Sequence, residues 1–283
     1  MEKEPAPEVR ALDAPLLLGR YQPLALLARG GSSLVYRGTD ETLNRGVAIK
    51  VFSAGVNVEQ YRGELRLLAS LSHHGVVSIV DAGIDDSSPT DPRPFLVMEL
   101  IRGRTLRETI AAGSLQERQV GEIVYEVAEA LDYVHHRGVI HRDISPSNIM
   151  LTDYGTATSR SRARITDFGI AVGSDYIPAD SGEVTGTVGY LSPEQVRGSG
   201  LDAATDVYSL GLVMLECFTR TMAYPGTPVE SALARLEHDP IVPDSVSEPW
   251  RELIAAMTRL DPTKRPTSAQ VADRVRTILR SVA

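Results

Sequence analysis

The stretch HRDISPSNIM, residues 141–150, sets a basic-acidic triplet, His141-Arg142-Asp143, a short way ahead of an amide, Asn148, that leads into the apolar pair Ile149-Met150. A loop Asp is most often a solvated or turn-forming residue, so neither Asp143 nor Asn148 carries weight alone. Their weight comes from what flanks them. Upstream stand a glycine-bearing run, LLARGGSSLVYRG (26–38), and VAIK (47–50); downstream stands DFG (167–169).

The bulk numbers bound what such a constellation can serve. The 283 residues are 42% hydrophobic, enough for one large domain or for two lobes meeting at a cleft. The formal charge is −8, so no overall positive field gathers the chain onto nucleic acid or anionic lipid, and no nucleic-acid partner is expected. The longest apolar run, SLGLVMLECF (209–218), is far shorter than the about 20 residues a membrane-spanning helix needs. It also contains Glu216 and reads as a buried helix, so no membrane segment is expected. No signal-peptide pattern follows Met1, and the single cysteine, Cys217, cannot form an internal disulfide, which favours a reducing, cytoplasmic setting.

Residues 1–18 begin Pro- and charge-rich and read as a loose arm. Over 20–51, short Val-, Leu- and Tyr-rich stretches alternate with Gly-containing turns, and another strand-like run covers 95–101, together predicting an antiparallel sheet. A helical interruption over 58–70 sets Tyr61, Leu65 and Leu68 on one face, with Glu64 beside that stripe. After Gly103 helical periods take over. Ser114 and Glu117 read as a capping box, after which Val120, Ile123, Val124, Val127, Leu131 and Val134 recur at helical spacing up to Gly138, a C-terminal stop. Further helical periods fall at 206–218, 229–238, 249–258 and 268–280. DDSSPTDPR (85–93) and TDYGTATSRSRAR (152–164) read as solvated loops, the second carrying Arg160, Arg162 and Arg164. The expected class is α+β and bilobal: the arm over 1–18, a small antiparallel-sheet lobe with one main helix over 19–100, and a larger, mainly helical lobe over 101–283.

The chemistry follows from residue types. A Gly-rich turn between strands lets backbone N–H groups close over phosphate oxygens, although such turns are usually only turns. Lys50 on the next strand would bring positive charge to the α- and β-phosphates and would need an anionic partner, for which Glu64 is the natural candidate. Phosphoryl transfer to a hydroxyl needs a carboxylate to orient and deprotonate the acceptor, and carboxylate or amide oxygens to hold magnesium. Asp143, Asn148 and Asp167 are of those types.

Gly30-Gly31, VAIK, a helix glutamate, VMEL, HRDxxxxN, DFG, GTxxYLSPE, DVYSLG and DPTKRPT follow one another in this order. Over residues 19–280 the chain thereby resembles the bacterial eukaryotic-like Ser/Thr protein kinases. The resemblance implies a bilobal protein-kinase-like fold, ATP with Mg2+ (or Mn2+) as cofactors, and a protein substrate with a Ser/Thr acceptor, including a second copy of the chain for autophosphorylation. It implies Lys50 and Glu64 as a strand-helix ion pair, Asp143 as the catalytic carboxylate, and Asn148 and Asp167 as metal ligands. Met98 falls at the gatekeeper position, Glu99 and Ile101 offer backbone groups to adenine, and Val35, Ala48 and Met150 line its faces. His141, Phe168, Leu68 and Val80 match an apolar stack coupling the lobes, and ordinary core fits them equally. Glu194 and Arg265 match a buried ion pair anchoring the activation segment, Asp206 a brace for the catalytic loop, and Thr187 a threonine that hydrogen-bonds the catalytic Asp in Ser/Thr kinases.

The chain departs from the pattern at two places. Ala28 and Ser33 stand where the family has spaced glycines, leaving Gly30; both are small, and ATP binding is expected to survive. Ser145 stands where Ser/Thr kinases carry a lysine that adds charge at the transferring phosphate, so turnover is expected to be reduced, while Lys50, Asp143 and the metal ligands sustain it. Ser145 hydrogen-bonding Asp143 and an arginine reaching in from elsewhere are both open. Ahead of Thr187, Glu183 matches a common phosphothreonine position and would give Arg142 a partial phosphate mimic, flanked by Ser181 and Thr185 as phosphorylation sites; a plain surface glutamate fits as well. The competing functions are a nucleotide-binding pseudokinase scaffold and a small-molecule phosphotransferase, which would have no use for Glu194 and Arg265. The chain reads either as a complete soluble enzyme or as the cytoplasmic domain of a longer membrane receptor.

Overall fold

The computed structural model describes residues 16–30, 33–53, 65, 67–87, 92–156, 160–168 and 188–281. The chain divides into two compact units, Met1–Leu71 with Ser78–Ile101, and Ser72–Val77 with Arg102–Ala283.

The first unit is built on a five-stranded antiparallel sheet. Its strands are β1 (Tyr21–Arg29), β2 (Ser33–Asp40), β3 (Arg45–Phe52), β4 (Ile79–Asp85) and β5 (Arg93–Glu99), in the spatial order β1-β2-β3-β5-β4. Residues directly opposite in a ladder share a face, so register sorts the side chains. Tyr36 pairs with Ile49, Ile49 with Val97, and Val51 with Phe95. These residues pack with Leu17, Tyr21, Val47 and Val80 into one apolar cluster. Each fully buried side chain of this size is worth about 1.5–3 kcal/mol, which fixes the register, because a one-residue slip would turn the whole set to the opposite face. The opposite face carries Val35, Lys50 and Leu96 in one row and Ala48 with Met98 in another.

Leu17, placed by the sequence in the loose arm, is instead 7% exposed within that cluster. The turn after it folds back so that Leu17 and Tyr21 form a bridge. Arg20 then donates twice to Asp40 at 2.8 Å, while the Tyr21 hydroxyl donates to Asp81 at 2.7 Å. The Arg20 bond, acting against burial, holds the Asp40 carboxyl down at about 2.

The second unit combines a small three-stranded sheet, β6 (Gly103–Thr105), β7 (Ile149–Thr152) and β8 (Arg162–Ile165), with seven helices among the described residues. These are α1 (Leu106–Ala112), α2 (Glu117–His136), α3 (Pro193–Arg197), α4 (Ala203–Thr219), α5 (Pro228–Glu237), α6 (Glu248–Met257) and α7 (Ser268–Ser281). Every residue of α4 from Thr205 to Cys217 is buried, as expected of a helix apolar nearly all round, and α4 is the axis of the unit. Among the described residues no helix is long and apolar enough to cross a membrane.

Three local features bear on the site. Gly103 has φ 155°, and a Cβ there would lie 2.0 Å from the Leu151 carbonyl oxygen, so only glycine lets β6 approach β7. Helix α2 does not start with the expected Ser114–Glu117 box. Its N-cap is Gln116, whose N–H donates to Gln119 Oε1 at 2.9 Å, because the chain is still extended at Gln116. Its end does follow the sequence: Gly138 takes φ 73°, and the Val139 N–H returns to the Val134 carbonyl at 3.0 Å.

Segment 152–164 joins β7 to β8 with Arg160 and Arg162 exposed as a solvated loop would have them, yet both also reach a buried acid. Arg160 and Arg162 donate to Glu126 Oε1 at 2.8 and 2.7 Å, and the Ala163 N–H donates to Glu126 Oε2 at 2.7 Å. Glu126 lies on the buried side of α2, and an acid at that depth requires partners from the strand packed against it.

Candidate active site

The loop 141–148 is held by its backbone. Asp206, fully buried near the start of α4, accepts the His141 N–H on Oδ2 and the Arg142 N–H on Oδ1, both at 2.8 Å. His135 Nε2 meets the same Oδ2 at 2.8 Å, and His135 Nδ1 meets the Ser268 hydroxyl at 3.0 Å, so α2 and α7 brace the brace. The Arg142 carbonyl accepts from Gln195 Nε2 at 2.8 Å. Bonds at both ends of the residue fix Arg142 at φ 67°, a left-handed conformation that costs about 1–3 kcal/mol and persists only where the surroundings impose it. Asp167 takes φ 57°. Among the described residues, Arg142 and Asp167 thus share this conformation at one site, whereas Leu18 and Asn44 adopt it in turns and Arg220 at the end of α4.

Asp143 follows Arg142 and is half-buried. Its N–H donates to His141 Nδ1 at 3.3 Å, so the ring accepts at Nδ1 and donates from Nε2 to the Thr166 carbonyl at 2.9 Å. Asn148 Nδ2 donates to the Asp143 carbonyl at 2.8 Å. Ile149 pairs with Ile165 across β7 and β8, and the Thr166 N–H donates to the Asn148 carbonyl at 2.9 Å. Asn148 and Asp167 consequently sit at the same end of one strand pair. A carboxylate and an amide side by side suit a hard cation that takes its remaining ligands from phosphate oxygens and water. Among the described residues no cluster of three or more His, Cys, Asp or Glu would hold a metal by itself.

Ser145 is 2% exposed between Ile144 and Pro146, and its carbonyl accepts the Asn148 N–H at 3.0 Å. The His141 and Phe168 rings lie 4.5 Å apart. Val80, placed with them by the sequence, instead joins the Leu17–Tyr21 cluster, on the sheet face away from Ala48 and Met98. The register shift between Ile79 and Asp81 turns it there.

In the first unit, register sets Ala28, Val35, Lys50, Ala48 and Met98 on one face, with Lys50 Nζ 5.4 Å from the Phe52 ring centre. The Gly30 N–H closes the β1–β2 tip on the Ser33 carbonyl at 2.8 Å, and Ser33 is buried. The Glu99 N–H goes to the Ser78 carbonyl at 3.0 Å, and Ile101 follows, half-buried. Met150 lies on β7 of the second unit, between Thr105 and Arg164. Gly31, Glu64, Gly169, Ser181, Glu183, Thr185 and Thr187 lie outside the described residues.

Arg265 anchors the start of α3. It donates to both oxygens of Glu194 at 2.6 and 2.9 Å and to the Ala204 carbonyl at 3.0 Å; Thr205 adds its hydroxyl to Glu194 at 2.9 Å. Burial pushes the Glu194 carboxyl up, but the Arg265 bond and charge outweigh it and hold the pKa below the ordinary value.

Two further anchors have no sequence motif behind them. Arg235 of α5, fully buried, donates to the carbonyls of Gly189, at 3.2 Å, and Leu191, and lies over the Tyr224 ring. Arg107 of α1 donates to Glu216 at 2.5 Å and to the Tyr190 hydroxyl, while its N–H reaches the Pro146 carbonyl at 2.9 Å. Burial beside Glu216 raises the Tyr190 pKa. Sequence offered one hint: Glu216 interrupts an apolar run and therefore requires a buried partner.

A five-stranded sheet unit carrying VAIK on its third strand, with a helical unit that clamps an HRD loop, is the bilobal protein-kinase fold. The family model described as protein kinase domain matches residues 21–275, and the chain belongs to that family. It is 36% identical over 243 residues to the serine/threonine-protein kinase PknB of Mycobacterium leprae, covering 83% of this chain and 38% of that protein. To PknB of Mycobacterium tuberculosis it is 36% identical over 246 residues, covering 82% and 38%. To the serine/threonine-protein kinase PknL of Mycobacterium bovis it is 37% identical over 271 residues, covering 91% and 65%. The match thus spans well under half of the PknB relatives' length.

Proposed function

We propose that the chain is an ATP-dependent Ser/Thr protein kinase domain that transfers the γ-phosphoryl group to protein hydroxyls, its own included. The observation that carries this reading is the clamped catalytic loop: Asp206 fixes the His141 and Arg142 peptides, and Asn148 fixes the Asp143 carbonyl. Such clamping presets the Asp143 carboxylate, which is where proximity contributes most to rate. The acceptor hydroxyl oxygen bonds to the γ-phosphorus, the bond from phosphorus to the β–γ bridging oxygen breaks, and the hydroxyl proton passes to Asp143.

Asn148 and Asp167 would hold Mg2+ (or Mn2+), which supplies charge neutralisation at the phosphates. Lys50, paired with Glu64, orients the α- and β-phosphates; Gly30, Gly31, Ala28 and Ser33 cover them; Val35, Ala48, Met98 and Met150 line the adenine, and the Glu99 and Ile101 backbones bond its edge. Thr187 orients Asp143 toward the acceptor. The Glu194–Arg265 pair favours a protein over a metabolite as acceptor, because it anchors the segment on which a polypeptide would lie. The relatives' names carry the Ser/Thr preference. A second copy of the chain serves as one such substrate, and the setting is cytoplasmic.

The pseudokinase alternative rests on Ser145, and one assay separates the two. Transfer of radiolabel from ATP to the chain and to a generic protein is expected from the wild type, to fall by about 10²–10⁴-fold in Asp143→Asn, and to rise in Ser145→Lys. Nucleotide binding without transfer by the wild type would sink the enzyme reading.

A further inference from the structure

Away from the catalytic loop, α2 and α7 border an open pocket of about 390 Å³. Into it α2 presents Arg118, Glu122 and Tyr125, α7 presents Arg276 and Arg280, and the β7–β8 connection presents Arg160. In a chain of formal charge −8, four guanidiniums around one lining carboxylate cannot be put down to a generally basic surface.

The acids nearby are already committed. Glu122 meets Arg118 at 3.2 Å and Arg160 at 2.8 Å, and Glu126, 3% exposed, holds Arg160 and Arg162 from beneath. Arg160 is therefore a fixed post. Arg276 pairs with Asp273, whose side chain is 67% exposed, an arrangement of small worth, and it overlies the Tyr125 ring at 6.0 Å. Arg280 makes no ion pair among the described residues. Arg276 and Arg280 also stand one helical turn apart, where like charges repel unless an anion lies between them.

A phosphoryl monoester, with close to two negative charges and three acceptor oxygens, matches two guanidinium forks better than a carboxylate does. Tyr125 and Leu279 add an apolar wall that a bare phosphate ion would leave unused. A membrane surface or a nucleic acid would present many charges to a protein of net negative charge, whereas this concavity takes one group.

We propose that this pocket binds a phosphorylated serine or threonine on a protein segment, gripped by Arg276 and Arg280 with Arg160 fixed beside them. The inference goes beyond the proposed transfer reaction and does not depend on it. The test is fluorescence anisotropy of the full chain with two labelled peptide pools of random flanks, one centred on phosphothreonine and one on threonine. Saturable binding of the phosphorylated pool alone is expected. The double variant Arg276→Ala/Arg280→Ala should weaken it by at least about tenfold, and Asp143→Asn should leave it unchanged, which separates this site from the transfer site.

Equal binding of both pools, or binding indifferent to the double variant, would overturn the proposal. So would equally effective displacement by inorganic phosphate, which marks an anion site only, or capture by phosphatidylserine vesicles in place of peptide. Should the double variant fail to fold, Arg280→Gln at the exposed helix end supplies the same comparison, with a smaller loss expected and no loss overturning the idea.

Discussion

Two buried arginines of the helical unit hold one short stretch, residues 189–194, by opposite means. Arg265 is matched to a carboxylate, Glu194, through two parallel bonds. Arg235 has no acid among the described residues; it spends its donors on the Gly189 and Leu191 carbonyls and on the Ser231 hydroxyl and carbonyl, over the face of Tyr224. Burial pulls the Arg235 pKa below the usual arginine value, yet the group stays charged. Arg265 is thus half of a neutral pair, whereas Arg235 is a cation solvated by backbone dipoles. The first device resists mutation poorly, because either half alone is a buried charge. The second tolerates removal better, because what remains is neutral.

The largest effect is expected where the pair is broken. Arg265→Met leaves Glu194 buried and uncompensated, which costs about 3–5 kcal/mol. Chemical denaturation should register this as a lower midpoint with unchanged slope; a loss under 1 kcal/mol would mean that Glu194 escapes to solvent.

Arg235→Met comes next, at about 1–3 kcal/mol, since it strands the Gly189 and Leu191 carbonyls but also removes a buried charge. Arg235→Lys should not rescue it, because a single ammonium cannot reproduce the fork that spans both carbonyls. If lysine did restore the wild-type midpoint, charge and not geometry would be what holds the stretch. On the kinase reading, Arg235→Met should raise KM for a protein substrate more than it lowers kcat, as this stretch adjoins Thr187.

The contrast also explains what the sequence made legible. Glu194, Arg265 and Asp206 sit in short motifs, and the structure brings them to the bonds those motifs imply. The antiparallel sheet and the long α2 follow from local period. Arg235, and the grip of Arg160 and Arg162 on Glu126, depend on elements far apart in the chain, and no period records which helix meets which hairpin. A signal did exist for Glu126: it falls between Ile123, Val127 and Ala130 on the apolar stripe of α2, where an acid requires a partner. Leu17 escaped for the opposite reason, as the run of three leucines, 16–18, that ends the arm sets neither a helical nor a strand period.

The smallest expected effect is in acid, and it separates the two devices most cleanly. The folded-state pKa of Glu194 is lowered, so the unfolded chain binds its proton more readily. The pair's stabilisation is therefore complete above the unfolded value, about 4.3, and fades as pH falls through that value and below it. Arg235 does not titrate in this range. Stability measured by denaturant from pH 6 to pH 3 should fall more shallowly in Glu194→Gln than in the wild type, whereas Arg235→Met should keep the wild-type slope from a lower starting point. Asp40, held at about 2 by Arg20, contributes a loss of the same sign that extends to lower pH and is common to all three proteins, so it cancels from the comparison. Parallel slopes for Glu194→Gln and the wild type would show that the Arg265 pair adds no pH-dependent stability, and the distinction between the two arginines would then rest on geometry alone.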